Sequence, residues 1–504
     1  MSASSKQMTP VSSTPVSSPP ESKSPGLRRA SWIGRMFLIL AVGASLVAFQ
    51  RIAEKRAQQF NTVDSEGKTV IFDHDQHAYL NAGRMMKRSQ YTYEMPRHRT
   101  PGLPFLLSFF YSELDAYAPA DPQDPRRVSE GYFTRGKHFV ILLTILGLVT
   151  MFLVIRRWLP VAESLLFLWI CMWLLYIFKA PFVRPEPTFY TVFFIGSLLT
   201  LQVLIRPTWR DAIAAGAVLA FCYLLKSAVL PLLLLFFACF WLKLGARLMR
   251  LLLTRGSSPP DAPVSLPSAS RLWVEVAQAH TVLLVFLGLL SPYLLTTARQ
   301  HQGNPFWSMH SSVFMWTDSK EEISLWASRG ITADSEIIPP DAPSARNYLE
   351  SHTMIQIADR CWLGVRSVLH RIREEFRVLY DYTVKRLLRC AVAAILLSLL
   401  AFWRDLRRYW PETLFIVGYF LGFAAIAGWY EMLKTGPRLL LVLFPPLAFL
   451  FIFLVHRYGR RIAVPQWGLQ IDLRRILLAI LTVYLAFATL QVWRHDAWTI
   501  LGAQ

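Results

Sequence analysis

The sequence predicts an all-α integral membrane protein with about eleven transmembrane helices and two large extracytoplasmic loops. Three observations favour this fold class: 54% of the 504 residues are hydrophobic, only 17% are charged, and the apolar residues are gathered into long runs. Soluble domains carry about 25% charged residues, so the composition excludes an ordinary soluble protein. It also excludes intrinsic disorder for most of the chain.

The apolar runs define the predicted helices. A hydrocarbon core about 30 Å thick is crossed by roughly 20 apolar residues in helical conformation. Runs that approach this length occur at 33–50, 138–155, 160–178, 188–205, 212–226, 228–242, 273–296, 387–403, 411–429, 438–455 and 476–493. The stretch 212–242 is too long for one span, and Lys226 and Pro231 interrupt it. We therefore expect two short helices that meet near Lys226.

The basic residues predict the orientation of these helices. Lys and Arg number 53 against 33 Asp and Glu, which gives a net charge of +20. Such an excess is typical of nucleic-acid binding when it forms a patch on a soluble face. Here the excess lies mostly in short loops between apolar helices, which is the positive-inside pattern of cytoplasmic loops. The N-terminus is expected on the same cytoplasmic side, and the loops 51–137 and 297–385 on the extracytoplasmic side.

The chain divides into four predicted regions. They are a disordered Ser- and Pro-rich tail (1–32), an N-terminal transmembrane module that includes the first large loop (33–296), the second large loop (297–385) and the C-terminal helices (386–504). The run after the tail could be a cleaved signal peptide. The long preceding tail and the lack of a clear small-residue cleavage site favour an uncleaved anchor. Both large loops are expected to carry interfacial helices, at PGLPFLLSFFY and at 354–385.

Candidate functional residues begin directly after the first helix, in VIFDHDQHAYLNAGRMM. Asp73 and Asp75 are separated by one residue, and two such carboxylates can hold a divalent cation or accept a proton from a hydroxyl. Tyr79 lies four residues after Asp75 and shares its helix face. A solvated helix start with an Asp cap is the structural alternative.

Cations and a further carboxylate follow at other predicted outer positions. Arg99 precedes the turn TPGLP, and Arg184 and Glu186 lie at the mouth of the fourth helix in RPEP. Lys226 and Arg438 lie at outer helix ends. Ionisable residues at membrane depth are costly and indicate a site, although snorkelling to the interface also accounts for them. Arg184, Lys226 and Arg438 could converge on a lipid phosphate through charge-assisted contacts.

The order of these motifs resembles a known family. DHDQHAYLNAG, RTPGLP, RPEP, LLKS and GPRLLLVLFPP follow one another over roughly 33–460 as in the GT-C superfamily of polytopic glycosyltransferases. The family-39-like branch, with bacterial protein mannosyltransferases and aminoarabinose transferases, is the most similar. The resemblance implies an enzyme of the bacterial inner membrane that moves a sugar from a polyprenyl-phosphate carrier to a protein, lipid or glycan acceptor. Its active site would be extracytoplasmic, with membrane lipids as partners and no nucleic acid.

The resemblance also implies roles for individual residues. Asp75 would be the catalytic base of an inverting displacement, with Asp73 as the second candidate, because relatives have an adjacent acidic pair where this chain has Asp-His-Asp. A divalent metal ion on Asp73, Asp75 and Glu186 stays open. The predicted substrate-binding residues are Tyr79, Arg99, Arg184, Glu186, Lys226 and Arg438. A non-catalytic membrane scaffold, or a transporter of lipid-linked or small substrates, is the alternative function, although a transporter would place its charges near the midplane of broken helices.

Overall fold

A computed structural model describes the following residues of the chain: 25–59, 61–63, 69–71, 74–92, 99–112, 115, 128–255, 269–301, 303–306, 313–331, 335, 339–375, 409–433, 436–458, 461–464, 469–472, 475, 478–483 and 486. The chain forms two compact units, residues 1–48 and residues 49–504. Helices account for almost all of the described secondary structure, as the fold class predicted.

Fifteen α-helices lie within the described residues. The first eight are α1 (Pro25–Gln59), α2 (His74–Arg88), α3 (Gly102–Ser108), α4 (Glu130–Ile155), α5 (Val161–Leu174), α6 (Glu186–Ile205), α7 (Trp209–Leu225) and α8 (Leu230–Arg255). The others are α9 (Ala269–Gln300), α10 (Lys320–Ser328), α11 (Ala345–Ser351), α12 (Met354–Glu375), α13 (Trp410–Trp429), α14 (Gly436–Leu440) and α15 (Phe444–Tyr458).

Seven helical segments of the described chain are long and apolar enough to cross a membrane. They are Glu130–Ile155, Val161–Phe178, Glu186–Ile205, Ser227–Arg250, Ser270–Gln300, Trp410–Trp429 and Arg438–Arg457. Each coincides with a predicted span, so the protein is an α-helical integral membrane protein. The predicted spans 387–403 and most of 476–493 lie outside the described residues.

The predicted division of 212–242 at Lys226 is confirmed. Helix α7 ends at Leu225, Lys226 has an extended backbone, and a short 3₁₀ turn at Ser227–Val229 leads into α8. Pro231 falls in the first turn of α8, where its missing N–H removes no helical hydrogen bond. The break places the Lys226 side chain at the end of two helices instead of in the middle of one.

Three short elements differ from the sequence prediction. Helix α1 begins at Pro25, so the last residues of the predicted tail 1–32 are helical. Proline suits the first turn of a helix. Two antiparallel hairpins were not predicted. Strand β1 (Asn61–Val63) pairs with β2 (Thr69–Ile71), and β3 (Arg461–Val464) pairs with β4 (Leu469–Asp472). Strands of three or four residues are too short for a periodicity to stand out in the sequence.

Helix α6 occupies the centre of the transmembrane region. It packs against α4, α7, α8, α13 and α15, and most of its residues are buried. Its aromatic face is closely packed, with the Phe193 ring 4.9 Å from that of Phe423 and 5.7 Å from that of Tyr419. Because α6 is enclosed on all sides, its first residue, Glu186, enters the protein interior.

A lysine–glutamate ion pair stabilises the other end of α6, opposite to Glu186. Lys243 of α8 donates hydrogen bonds to Glu412 of α13 and to the carbonyl oxygen of Leu204 in α6. Glu186 and Leu204 are about 27 Å apart along α6 at 1.5 Å per residue, which is close to the thickness of a hydrocarbon core. The two ends of α6 are therefore both held by lysine–glutamate pairs.

Helices α12 and α13 approach each other unusually closely. A Cβ atom built on Gly364 would overlap the carbonyl oxygen of Gly428, and one built on Gly428 would overlap that of Cys361. The absence of side chains at both positions lets the two backbones touch. This contact attaches α12, which carries exposed Met354 and Trp362 on its other face, to the transmembrane helix.

We expect Gly428→Ala to lower the stability of the protein by about 2 kcal/mol, because the added methyl group overpacks a backbone contact. Thermal unfolding of the purified protein in detergent measures the effect. The matched control is Gly422→Ala in the same helix, where a Cβ meets nothing within 4 Å. Equal stability of the two variants would contradict a tight crossing of α12 and α13.

Candidate functional site

Helix α2 presents Asp75 and Tyr79 on one face. Asp75 lies in the first turn of α2, and Tyr79 follows one helical turn later, as their spacing predicted. Arg99, beyond the end of this helix, interacts with both residues. Its Nη2 donates to Asp75 Oδ1 over 3.2 Å, and its guanidinium lies 5.4 Å from the centroid of the Tyr79 ring.

The turn that carries Arg99 is held by a glycine. A Cβ on Gly102 would lie 2.6 Å from the carbonyl oxygen of Leu224, so only glycine allows α3 to begin against the end of α7. This contact brings the segment around Arg99 to the same helix end as Lys226. The motif PGLP therefore has a packing function that positions neighbouring polar residues.

Glu186 is the most deeply buried charge of the site. Its side chain is only 3% exposed and accepts a hydrogen bond from Lys226 Nζ over 2.8 Å. Lys226 also lies 5.8 Å from the centroid of the Phe189 ring, one turn along α6. The second carboxylate oxygen, Glu186 Oε2, is buried and accepts no hydrogen bond from the described residues. It is an unused acceptor within the site.

Arg438 links the two carboxylates. Its Nη1 donates a short hydrogen bond to Asp75 Oδ2 and lies 4.0 Å from Glu186 Oε1. The contact joins residues more than 350 positions apart in the chain. Arg184, on the loop before α6, acts electrostatically on Glu186 as well.

The structure thus brings seven of the eight predicted site residues together, and we refer to these seven as the charged cluster. Its members are Asp75, Tyr79, Arg99, Arg184, Glu186, Lys226 and Arg438. The eighth predicted residue, Asp73, lies outside the described residues. Four members are cations and two are carboxylates, so the cluster as defined has an excess of positive charge. Such a site favours an anion.

The cluster has an accessible side and a closed side. The side chains of Asp75 and Arg438 are 31% and 32% exposed, whereas that of Glu186 is 3% exposed. A ligand therefore reaches the cluster at the Asp75–Arg438 pair. Glu186 and Lys226 form its inner wall.

Tyr79 stays a neutral phenol in this setting. Desolvation by burial raises its pKa well above the ordinary value, and the negative charges of Glu186 and Asp75 raise the pKa further. A phenol with a raised pKa keeps its proton at neutral pH. Tyr79 can therefore donate a hydrogen bond to a ligand, and it does not act as a base.

Two uncharged residues that sequence reasoning missed hold the cluster in place. Gln76 is buried, and its Oε1 accepts a hydrogen bond from the backbone N–H of Val183 over 2.8 Å, which ties α2 to the loop that carries Arg184. Tyr190 donates its hydroxyl to the carbonyl oxygen of Arg438 over 2.9 Å. Their only signal was position, since Gln76 follows Asp75 and Tyr190 lies one turn after Glu186.

The described residues do not form a metal site on their own. The Arg438 guanidinium lies between Asp75 and Glu186, where a shared cation would have to bind. Across the described ranges, no three His, Cys, Asp or Glu side chains come together. The predicted divalent ion depends on Asp73 and stays a prediction.

We expect Lys226→Met to destabilise the protein by about 3 kcal/mol, because it leaves the buried Glu186 carboxylate without its closest cation. The double variant Lys226→Met/Glu186→Gln should recover much of this loss, since no buried charge is left uncompensated. Thermal unfolding in detergent measures both. The control is Arg346→Ala, which removes the exposed pair of Arg346 with Glu350 and should have an effect below about 0.5 kcal/mol. A double variant less stable than Lys226→Met would refute this account.

Comparison with known proteins does not assign the chain to a family. No protein-family model matches the sequence, and no curated protein matches it. The chemistry of the charged cluster is therefore inferred from its own side chains. They can bind an anion, donate hydrogen bonds and, at Asp75, accept a proton.

Proposed function

We propose that this protein is a membrane glycosyltransferase that moves a sugar from a polyprenyl-phosphate carrier to an acceptor on the extracytoplasmic side. The observation that carries the proposal is the charged cluster itself. A partly exposed carboxylate, Asp75, lies among four cations at the ends of helices long enough to span a membrane. A lipid-linked sugar phosphate needs an apolar scaffold for its tail, cations for its phosphate and a base for the acceptor.

The orientation follows from the basic residues. The end of α8 that carries Lys243, Arg247 and Arg250 would face the cytoplasm. The charged cluster, which includes Lys226 before the other end of α8, would then face the opposite side. The order of motifs resembling GT-C enzymes of bacterial inner membranes supports the same orientation. The acceptor would be a protein, lipid or glycan with a free hydroxyl or amine.

The proposed reaction is an inverting displacement at the anomeric carbon. The acceptor hydroxyl loses its proton to Asp75 as its oxygen forms a bond to the anomeric carbon. The bond between this carbon and the phosphate oxygen breaks, and the electron pair leaves with the polyprenyl phosphate. Arg99 and Arg438 stabilise the negative charge that develops there. No separate acid is required, because a phosphate is a good leaving group.

The remaining members of the cluster orient the sugar. Glu186 Oε2, which accepts no hydrogen bond from the described residues, would accept one from a sugar hydroxyl or amine. Tyr79 would donate one. Lys226 binds Oε1 of Glu186, which leaves Oε2 for the ligand.

We expect Asp75→Asn to reduce transfer by at least about 100-fold, because the variant has no base at the acceptor. The assay incubates purified protein in lipid nanodiscs with a panel of labelled polyprenyl-phosphate sugars and follows loss of the label from the carrier. The control is Asp115→Asn, which removes a carboxylate of the same loop that binds Arg135 outside the cluster. Transfer by Asp75→Asn at the wild-type rate would exclude the role of Asp75. Failure of the wild-type protein to use any donor would favour a scaffold or transporter.

We expect Tyr190→Phe to raise the KM for the donor about fivefold with a smaller change in kcat, because Arg438 loses its backbone anchor, a hydrogen bond of about 1 kcal/mol. The matched control is Tyr132→Phe, which removes a buried hydroxyl that donates to the carbonyl of Leu107, outside the cluster. Both variants should unfold at similar temperatures. A KM that changes equally in both would show that Tyr190 has only a general packing role.

A further inference from the structure

Both carboxylate oxygens of Asp75 are occupied by arginines. Oδ1 accepts from Arg99 and Oδ2 accepts from Arg438. A general base must direct a lone pair at the proton that it removes. In this arrangement both oxygens of Asp75 accept hydrogen bonds from guanidinium groups, which occupy lone pairs that a base would direct at a proton. The cluster as it stands is therefore poorly disposed for proton abstraction.

Arg438, which is 32% exposed, is open to an incoming phosphate, and Arg99, which is 13% exposed, shares Asp75 with it. Lys226 is 21% exposed but is engaged by the buried Glu186. A carboxylate and a phosphate each offer two oxygens that accept parallel hydrogen bonds from the planar guanidinium group. Asp75 and the phosphate of the donor would therefore compete for the same N–H groups.

We propose that Asp75 is held inactive by Arg99 and Arg438 until the donor phosphate replaces it on these arginines, so that binding of the donor releases the base. The inference rests on the proposed function, because it takes the ligand to be a polyprenyl phosphate. No covalent bond changes in this step: two charge-assisted hydrogen bonds to Asp75 are exchanged for two to phosphate. The acceptor is then deprotonated only in the presence of the donor, which makes donor binding the first step.

The exchange predicts an unusual property of Asp75→Asn. This variant loses transfer but should bind a phosphate ligand more tightly than the wild-type protein, since the asparagine amide competes weakly for guanidinium. The probe is farnesyl phosphate, titrated calorimetrically into full-length protein in nanodiscs. We expect a dissociation constant at least about tenfold lower in Asp75→Asn. Asp115→Asn is the control and should bind like the wild-type protein. Equal or weaker binding by Asp75→Asn would overturn the inference, and weaker binding would indicate that Asp75 holds the phosphate through a cation.

A double-variant cycle separates competition from simple charge repulsion. If Asp75 acts by occupying Arg438, the gain from Asp75→Asn should fall to about threefold or less in an Arg438→Gln background. An undiminished gain there would mean that Asp75 merely repels the phosphate, and it would overturn the exchange. Thermal unfolding of each variant verifies folding. Labelling of Asp75 by a carbodiimide in the wild-type protein gives a second test, because farnesyl phosphate should increase the labelling and a decrease would contradict release.

The two proposals fail in different ways. Tighter binding by Asp75→Asn together with no transfer from any labelled donor would retain the exchange and reject the glycosyltransferase. Transfer by the wild-type protein without tighter binding by Asp75→Asn would retain the enzyme and reject the exchange. Absence of farnesyl phosphate binding in every variant would reject the exchange together with the polyprenyl-phosphate donor.

Discussion

The burial of Glu186 is the constraint on which this end of the protein depends. Its carboxylate lies at the first turn of α6, a helix that packs against five others, and an uncompensated charge there would cost several kcal/mol. The N-terminus of α6 favours a negative charge, and Lys226 and Arg438 provide the rest of the compensation. Lys226 belongs to the junction of α7 and α8, and Arg438 to α14. Compensation of one buried charge therefore brings three separate segments of the chain to one point.

The helices could be predicted from sequence because their signal is local. A window of about 20 residues is long enough to detect each apolar run. The same window detects an interruption such as Lys226. The central position of α6 could not be predicted, since its hydrophobic residues are spread evenly around the helix and mark no single face. The crossing of α12 and α13 also had no local signal. Gly364 and Gly428 matter because their backbones touch, and they lie more than sixty residues apart in the chain.

The residues of the site could be predicted from the sequence, but not which cation pairs with which carboxylate. Glu186, Lys226 and Arg438 stood out because ionisable residues at membrane depth are costly, and Asp75 because it lies one residue from Asp73 directly after the first predicted helix. Which cation meets which carboxylate depends on tertiary contacts, such as the one between Asp75 and Arg438. Lys243 is an example of the opposite error. The predicted span 228–242 leaves it outside the helix, yet it is paired with Glu412 inside the bundle. Gln76 and Tyr190 were missed because neutral hydrogen-bonding residues have no charge to attract notice.

The residues of the charged cluster belong to secondary-structure elements of very different length and regularity. Asp75 and Glu186 belong to α2 and α6, which are continuous helices of several turns. Arg438 belongs to α14, five residues long, which lies between 3₁₀ turns at Tyr430–Leu433 and Leu441–Leu443. A 3₁₀ turn has poorer hydrogen-bond geometry than an α-helix, and a 3₁₀ stretch within a helical region often marks a hinge. The backbone at Asp75 and Glu186 is therefore expected to be more rigid than the backbone at Arg438. A small dihedral change in this short segment would move Arg438 relative to Asp75 and Glu186, so the charged cluster can adapt to a bound ligand while α2 and α6 keep their positions.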